Sequence, residues 1–145
     1  MVERLVPDEL WELFRRVVPK APTNLPSGER RRHRDREVPA AIIFVATSGC
    51  TWARLPPVFG PSRPTEHRRF TEWSRARVWA KLHRLARRVV ESSQRLGRRR
   101  WQVERTMAWL AGCRCLRRRY ERKADHFLTF AGIACTLICC RRLTK

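Results

Sequence analysis

The amino-acid sequence predicts an all-α protein, and three features of the chain lead to this fold class. Apolar residues recur every three or four positions in several segments, and Pro, Gly or a small polar residue bounds each segment. No segment shows the strict alternation of a half-buried β-strand. The length of 145 residues suits one or two small domains and excludes a large enzyme. We expect an N-terminal helical unit over 1–90, a junction over 91–97 and a two-helix tail over 98–145.

The first predicted helix follows Pro7 and carries apolar residues at helical spacing, among them Leu10 and Phe14. Asp8 is placed to cap the free amide groups at its start, because a short carboxylate side chain accepts hydrogen bonds there. Pro19 has no amide hydrogen to donate and stops the helix.

The second predicted helix covers 36–48 and is apolar on most sides, so we expect it to be buried. Asp35 is placed to cap it, and Gly49 can end it in a left-handed conformation. The loop that follows is rich in Pro and Gly, and we expect it to be ordered and to lay Trp52 and Phe59 over the helices.

The third predicted helix covers 66–75, with Thr65 as its cap and with Phe70 and Trp73 facing inward. Its other face carries His67, Arg68, Arg69 and Glu72, and it is the best candidate for an element that reads a DNA groove. The second and third helices suggest a helix-turn-helix, although their connection is much longer than the usual turn of about 3 to 4 residues.

The rest of the chain predicts three further helices. A fourth helix covers 78–89, a break follows over 91–97, and the tail holds helices over 101–111 and 126–142. The longest apolar stretch, Phe127 to Cys140, is shorter than the roughly 20 residues of a membrane helix. We therefore interpret it as a buried helix, and we expect no membrane partner.

The charge of the chain points to a polyanionic partner. Lys and Arg number 33 against 13 Asp and Glu, and residues 61–145 hold 23 of the basic and 6 of the acidic residues. Each neutralised phosphate releases condensed counterions, so nucleic acid is the first candidate partner. The candidate DNA-binding residues form a basic loop, the outward face of the third helix and a basic run in the tail: Arg30, Arg31, Arg32, Arg34, Thr65, His67, Arg68, Arg69, Arg75, Arg98, Arg99 and Arg100.

Other site chemistries find little support in the sequence. The six cysteines lack the paired C-x-x-C spacing of zinc sites, and we expect no metal ligand set among them. His67 and His83 have no nearby nucleophile with an orienting acid, which argues against a catalytic triad. The acidic N-terminus is unlike a signal peptide, so we expect reduced thiols and a cytoplasmic protein.

Several sequence blocks, in order, resemble the N-terminal domain of bacterial insertion-sequence transposases of the DDE class. These blocks are Pro-Asp-Glu-Leu-Trp-Glu-Leu at 7–13, Asp-Arg-Glu-Val at 35–38, Ser-Gly-Cys-Thr-Trp-Ala-Arg-Leu-Pro-Pro-Val-Phe-Gly at 48–60 and Arg-Arg-Phe-Thr-Glu-Trp at 68–73. The tail, with Trp-Gln-Val-Glu-Arg-Thr at 101–106, is similar to the C-terminal end of the same transposases. The resemblance implies DNA as partner, above all the terminal inverted repeats of an insertion element.

The resemblance also implies that the RNase H-like centre of the family is missing between the two ends. Glu104 matches the last of three catalytic carboxylates, which in intact members hold Mg²⁺ for strand cleavage and joining. Its two Asp partners are absent, because Asp8, Asp35 and Asp125 do not match catalytic positions. We therefore expect no cofactor for this chain, and the alternative role of Glu104 is an ion pair with a neighbouring Arg.

The sequence leaves three hypotheses about function. In the first, the chain is a transposase-family protein that binds element ends without cutting them, alone or as a hetero-oligomer with full-length transposase. Alternatively, it is a basic protein that binds nucleic acid without sequence preference. In the third hypothesis it is a pseudogene product with no stable fold, whose tail has lost the sheet it packed on.

Overall fold

A computed structural model describes residues 1–19, 36–60, 62–93, 112–117 and 123–143. Every regular element in these ranges is helical, and none of their residues lies in a β-strand. The predicted all-α class is therefore confirmed. The basic loop before residue 36 and the predicted helix over 101–111 lie outside the described residues.

The helices are, in chain order, α1 (Val2–Leu5), α2 (Asp8–Val17), α3 (Glu37–Ser48), α4 (Arg63–Arg75), α5 (Val78–Ser93), α6 (Arg114–Arg117) and α7 (Ala124–Leu143). Two short 3-10 turns, Trp52–Arg54 and Pro57–Phe59, shape the loop between α3 and α4. The predicted helices in these ranges, α2 to α5 and α7, are confirmed. The sequence did not predict α1 and α6, because a helix of 4 residues is too short to show a periodicity.

The helix α3 is the most deeply buried element of the N-terminal half, as its composition predicted. It contacts α1, α4, α6 and α7, and its side chains fill the space between them. Gly49 ends α3 at φ 70°, a left-handed conformation that glycine adopts without strain, and its amide donates to the Val45 carbonyl oxygen at 3.0 Å. The buried residues of α3 are Val38, Pro39, Ala40, Ala41, Ile42, Ile43, Val45 and Ala46.

The loop between α3 and α4 closes over the core with aromatic side chains. Phe59 is fully buried and its ring centroid lies 5.4 Å from that of Phe44 on α3. Trp52 is half-buried and its ring lies 5.1 Å from that of Phe70 on α4. The predicted ordered loop, with Trp52 and Phe59 against the helices, is confirmed.

The most extensive packing in the described residues joins α5 to α7. Trp79 and Leu82 of α5 and Phe130 and Ile133 of α7 belong to one buried cluster together with residues of α2, α3 and α4. At the crossing, a Cβ atom on Gly132 would lie 3.4 Å from the Trp79 Cβ, so the two helices pack in close contact. The tail helix therefore packs on the N-terminal helices, a point that the sequence left open.

The helix α7 is also long and apolar enough to cross a membrane by length and composition, over Ala124–Arg141. This is a weak indication, because core helices of soluble proteins share the same length and composition. Phe130, Ile133 and Ala134 of this span are each at most 2% exposed and lie in the core. The packing agrees with the buried helix that the sequence predicted.

Two predicted helix caps are wrong. Asp8 is the first residue of α2 rather than its cap; it makes no capping hydrogen bond and its carboxylate pairs instead with the Arg36 guanidinium at 2.8 Å. Thr65 lies inside α4, which begins at Arg63 because Pro64 fits the first turn of a helix, where no amide hydrogen is needed. The cap expected at Asp35 lies outside the described residues.

The predicted break after α5 also begins too early. The helix α5 continues through Ser93, so Glu91 and Ser92 are helical rather than part of a break. The sequence placed the end of the helix near Val89 because Ser92 and Ser93 stand where the next apolar residue of the helical pattern would fall.

Candidate nucleic-acid interface

The outward face of α4 carries five of the predicted DNA-binding residues: Thr65, His67, Arg68, Arg69 and Arg75. The opposite face of the helix is buried through Glu66, Phe70, Trp73 and Ser74. The buried positions follow a spacing of four and three residues, which sets one stripe of the helix against the core. The exposed stripe on the opposite side of α4 is therefore held in a fixed orientation relative to the core.

Aromatic contacts anchor the buried face of α4 to three other parts of the fold. The Phe70 ring stacks on Phe130 of α7 with centroids 4.9 Å apart. The Trp73 ring meets Phe14 of α2 edge-on at 5.2 Å, and Trp52 lies 5.1 Å from Phe70. Such ring pairs add to the free energy of burial, and the inward-facing roles predicted for Phe70 and Trp73 are confirmed.

Arg68 and Arg75 are both exposed and lie about two helical turns apart on α4. Together with Thr71, Glu72 and Ala76 they line an open depression at the protein surface. Guanidinium groups in this arrangement can donate two parallel hydrogen bonds to a phosphate or to a guanine edge. The face of α4 thus has the chemistry of a nucleic-acid contact.

Arg69 has a different environment from its two neighbours. Its Nη1 atom donates to the Glu72 Oε2 atom at 3.0 Å, and its side chain is 34% exposed. This contact is an ion pair between residues one helical turn apart, which restricts the conformations of both side chains.

Thr65 and His67 lie near the start of α4. The Thr65 hydroxyl is 2.9 Å from the Ser62 hydroxyl, so it has a hydrogen-bond partner within the protein. His67 is exposed, and its imidazole ring meets the Trp52 ring edge-on at 5.4 Å. Trp52 therefore limits the orientations of His67, and the imidazole remains accessible from solvent.

The next helix, α5, adds cations that the sequence did not place among the candidate site residues. Lys81, Arg84 and Arg88 are exposed on the side of α5 that faces away from the core. Burial of His83 lowers the pKa of its imidazole, and the nearby Arg87 charge lowers it further, so both favour the neutral form. A signal was present, because the apolar spacing of Val78, Leu82 and Ala86 leaves these three cations on the opposite side.

The most unusual residue of α4 is Glu66, whose environment the sequence did not reveal. It is 1% exposed, and neither of its carboxylate oxygens has a hydrogen-bond partner in the structure. Burial raises the pKa of this carboxyl group from 4.5 to about 7. The spacing of Glu66 to Phe70 and Trp73 was the available signal, since it puts all three on one face.

The described carboxylates do not assemble a metal centre. In the ranges that the structure covers, no group of three His, Cys, Asp or Glu side chains is placed to hold a metal ion. Asp8 lies at the start of α2 and Asp125 lies in the first turn of α7, both exposed. Glu104, which the sequence identified as the motif carboxylate, lies outside the described residues.

The remaining predicted DNA-binding residues also lie outside the described ranges. They are the loop residues Arg30, Arg31, Arg32 and Arg34 and the tail residues Arg98, Arg99 and Arg100. Their role stays a prediction from the sequence.

All six cysteines are thiols rather than disulfides. Burial raises the pKa of Cys140 to about 12, and it also raises the pKa of Cys113 and Cys135. A thiol in such an environment is a poor nucleophile, because the thiolate is the reactive form. Cys140 belongs to the buried cluster, and Cys50, Cys115 and Cys139 pack against this cluster.

Comparison with protein families gives two matches that together cover most of the chain. A family described as putative transposase of IS4/5 family matches residues 6–83. A second family, described as transposase DDE domain, matches residues 53–139. No solved structure matches the chain.

Two relatives from Burkholderia cepacia show the same relationship. The chain is 46% identical over 61 residues to a putative transposase for insertion sequence element IS402, an alignment that covers 42% of this chain and 29% of the relative. It is 34% identical over 90 residues to an insertion element IS402 uncharacterized 16.2 kDa protein, covering 59% of each chain. The chain thus spans less than two thirds of the length of both relatives.

Proposed function

We propose, since this chain belongs to the IS4/5 family of insertion-sequence transposases, that it binds DNA through α4 and that its targets are the terminal inverted repeats of an insertion element. The observation that carries the proposal is the position of Arg68 and Arg75. Both are exposed on a helix whose other face is locked into the core by Phe70 and Trp73. A rigid helix with exposed arginines is suited to the major groove, which admits an α-helix.

The surrounding charge supports the proposal. Between residues 62 and 90 the chain holds the basic residues Arg63, Arg68, Arg69, Arg75, Arg77, Lys81, Arg84, Arg87 and Arg88. The acidic residues of the same segment are Glu66, which is buried, and Glu72. Exposed cations on α5 are suited to phosphate contacts that fix the position of α4 on the duplex.

We assign residues 1–90 to the DNA-binding domain, residues 91–97, the first three of which are the end of α5, to a junction, and residues 98–145 to the remnant of the catalytic domain. The sequence blocks at both ends of the chain support this division. The basic loop and the run at 98–100 would contact the phosphate backbone, because neither carries the fixed spacing that base recognition needs. The protein would act in the cytoplasm, where the DNA of a bacterial insertion element is found.

We further propose that this chain binds element ends without cutting them. Cleavage in the DDE class needs three carboxylates around two metal ions, and Glu104 is the one that this sequence retains. Asp8 pairs with Arg36, and Asp125 lies at the start of a core helix, so neither is suited to a shared metal site. Such a chain would compete with full-length transposase for the ends, or form mixed oligomers with it.

The experiment uses the inverted repeats that flank the gene as a labelled duplex. The purified chain should bind this duplex more tightly than a scrambled duplex of the same composition and more tightly than RNA. Addition of Mg²⁺ should leave the duplex uncut. Metal-dependent nicking would contradict the proposed inactivity, and equal competition by random duplex and RNA would favour a basic protein without sequence preference.

A matched pair of variants tests the assignment to α4. The double variant Arg68→Ala/Arg75→Ala removes two exposed cations from α4, and we expect it to lose affinity for the repeats by about tenfold or more. The control variant Arg15→Ala/Arg16→Ala removes two exposed cations from α2. Equal losses in the two variants would show that net charge rather than α4 controls binding.

A further inference from the structure

We propose that Glu72 recognises a base, accepting a hydrogen bond from the N4 amino group of a cytosine in the major groove. This inference rests on the proposed function, because it requires that α4 enters the groove of a duplex. It adds a residue that selects sequence at the centre of the α4 face.

The starting point is the position of Glu72 between two arginines. Its side chain is 49% exposed and lines the same depression as Arg68, Thr71 and Arg75. Glu66, the other acidic residue between 62 and 90, is buried in the core. Glu72 is thus the exposed acid on the part of the chain with the densest described positive charge.

A carboxylate at this place is unfavourable for a surface that only binds phosphates. Phosphate and carboxylate repel each other, so a helix that clamps the backbone without reading bases would gain affinity from a neutral residue at position 72. A base edge is different, because the N4 amino group of cytosine is a donor that a carboxylate accepts. The major groove is therefore the partner whose chemistry agrees with Arg, Glu and Arg in one stripe.

The spacing of the three side chains agrees with neighbouring base pairs. Along a helix that rises about 1.5 Å per residue, Glu72 lies about 6 Å from Arg68 and about 4.5 Å from Arg75. Base pairs in a duplex are about 3.4 Å apart, so these side chains can reach bases within a site of about 3 to 4 base pairs. The expected site places a cytosine close to guanines, since arginine prefers the guanine edge.

The contact with Arg69 restricts the Glu72 carboxylate but leaves some of its hydrogen-bond acceptor sites available. Arg69 donates to the Oε2 atom at 3.0 Å. An ionised carboxylate has two oxygens and about four acceptor sites, so it can accept from a base while the ion pair persists. The pair also limits the side-chain freedom that Glu72 would lose on binding.

The contribution of the ion pair to the stability of the fold does not explain why position 72 is a glutamate. Exposed pairs one turn apart contribute little to the free energy of unfolding, and the helix face is already fixed by Phe70 and Trp73. Glu72→Gln is therefore expected to fold with an unchanged melting temperature. A chain that folds normally allows its DNA preference to be measured directly.

The experiment selects duplexes from a randomised pool with the full chain and with Glu72→Gln. The full chain should select a cytosine at one position, and the variant should lose this preference by about fivefold or more, with adenine favoured because glutamine pairs with the adenine edge. The variant should also bind random duplex more tightly, since it has lost a negative charge. The matched control is Glu12→Gln, which removes an exposed glutamate that pairs with Arg15 on α2 at 3.3 Å.

The outcomes separate this inference from the proposed function. If the full chain selects a sequence and Glu72→Gln selects the same one, the inference is wrong and the proposed function stands. If the full chain selects no sequence at all, the proposed function itself fails. The variant Arg69→Gln tests whether Glu72 acts only by positioning Arg69. In that case Arg69→Gln and Glu72→Gln would show the same change of sequence preference, and the inference would be wrong.

Discussion

The phenyl rings of Phe70 and Phe130 stack with their centroids 4.9 Å apart, and this contact joins α4 to α7. His126 extends the contact, because its ring lies 4.9 Å from Phe70 on the same side of α7. The helix that carries the candidate DNA-binding residues is thus supported by the tail of the chain. The orientation of α4 depends on residues that are about 60 positions away in the sequence.

The first prediction concerns this support. Phe130→Ala should lower the free energy of unfolding by about 3 to 5 kcal/mol, because it removes a buried ring that the core cannot refill. Urea unfolding followed by tryptophan fluorescence measures the change. Leu128→Ala is the matched control, since Leu128 is on the same helix and is 62% exposed. Equal stability of the two variants would contradict the packing of α7, and it would favour a chain without a stable tail.

The second prediction concerns Glu66. Burial raises the pKa of this carboxyl group from 4.5 to about 7. Between pH 4.5 and about pH 7, the carboxyl group is therefore mainly protonated in the folded chain and mainly ionised in the unfolded chain. The stability due to this proton is therefore present below about pH 4.5 and is lost as the pH rises to about 7. Glu66→Gln removes the titration, and we expect its stability relative to the wild type to rise by about 3 kcal/mol across this range.

The measurement is urea unfolding of both chains at several pH values from 4.5 to 8. Other groups titrate in the same range, and the difference between the two chains isolates Glu66. The control Glu12→Gln changes a glutamate whose side chain is 60% exposed, and it should change the free energy of unfolding little, because exposed ion pairs contribute little to stability. A difference between Glu66→Gln and the wild type that stays constant with pH would show that the Glu66 carboxyl group is not buried in solution.

The sequence predicted much of the fold because local patterns determine it. The spacing of Leu10 and Phe14 predicted α2, and the apolar run before Gly49 predicted α3 and its end. The wrong cap at Thr65 has a local cause too, because Pro64 in the first turn moved the start of α4 upstream of Thr65. What local patterns do not contain is the position of α7 against α5, which depends on contacts between distant residues.

Part of the geometry of the candidate site could be predicted from the sequence. The inward spacing of Phe70 and Trp73 puts Arg68 on the opposite, exposed side of α4, and the structure has it there. The burial of Glu66 could not be predicted from its residue type, because glutamate is rarely buried without a partner. The sequence motif around Glu104 likewise predicts a role, while the geometry of that residue lies outside the described part of the chain.

The third prediction concerns the thiols. Cys140 is 7% exposed and burial raises its pKa to about 12, so little thiolate is present at pH 8. Alkylation by iodoacetamide at pH 8, followed by peptide mass spectrometry, should modify Cys140 at least about tenfold more slowly in the folded chain than in guanidinium. After unfolding without reductant, all six cysteines should react, because none is in a disulfide. Equal labelling rates in the two states would contradict the burial of α7.

The last prediction separates phosphate contacts from base contacts. Arg84 and Arg88 are exposed on α5 one helical turn apart, where they are suited to the phosphate backbone rather than to a base edge. Arg84→Gln and Arg88→Gln should each weaken binding to element ends and to random duplex by the same factor. Each should also reduce the slope of log affinity against log salt by about 1, because one phosphate contact fewer releases fewer counterions. Titrations at several salt concentrations measure this slope, and Arg16→Gln on α2 is the control, with an unchanged slope. A variant of α5 that changed the selected sequence while keeping the salt slope would show that α5, and not α4, lies in the groove.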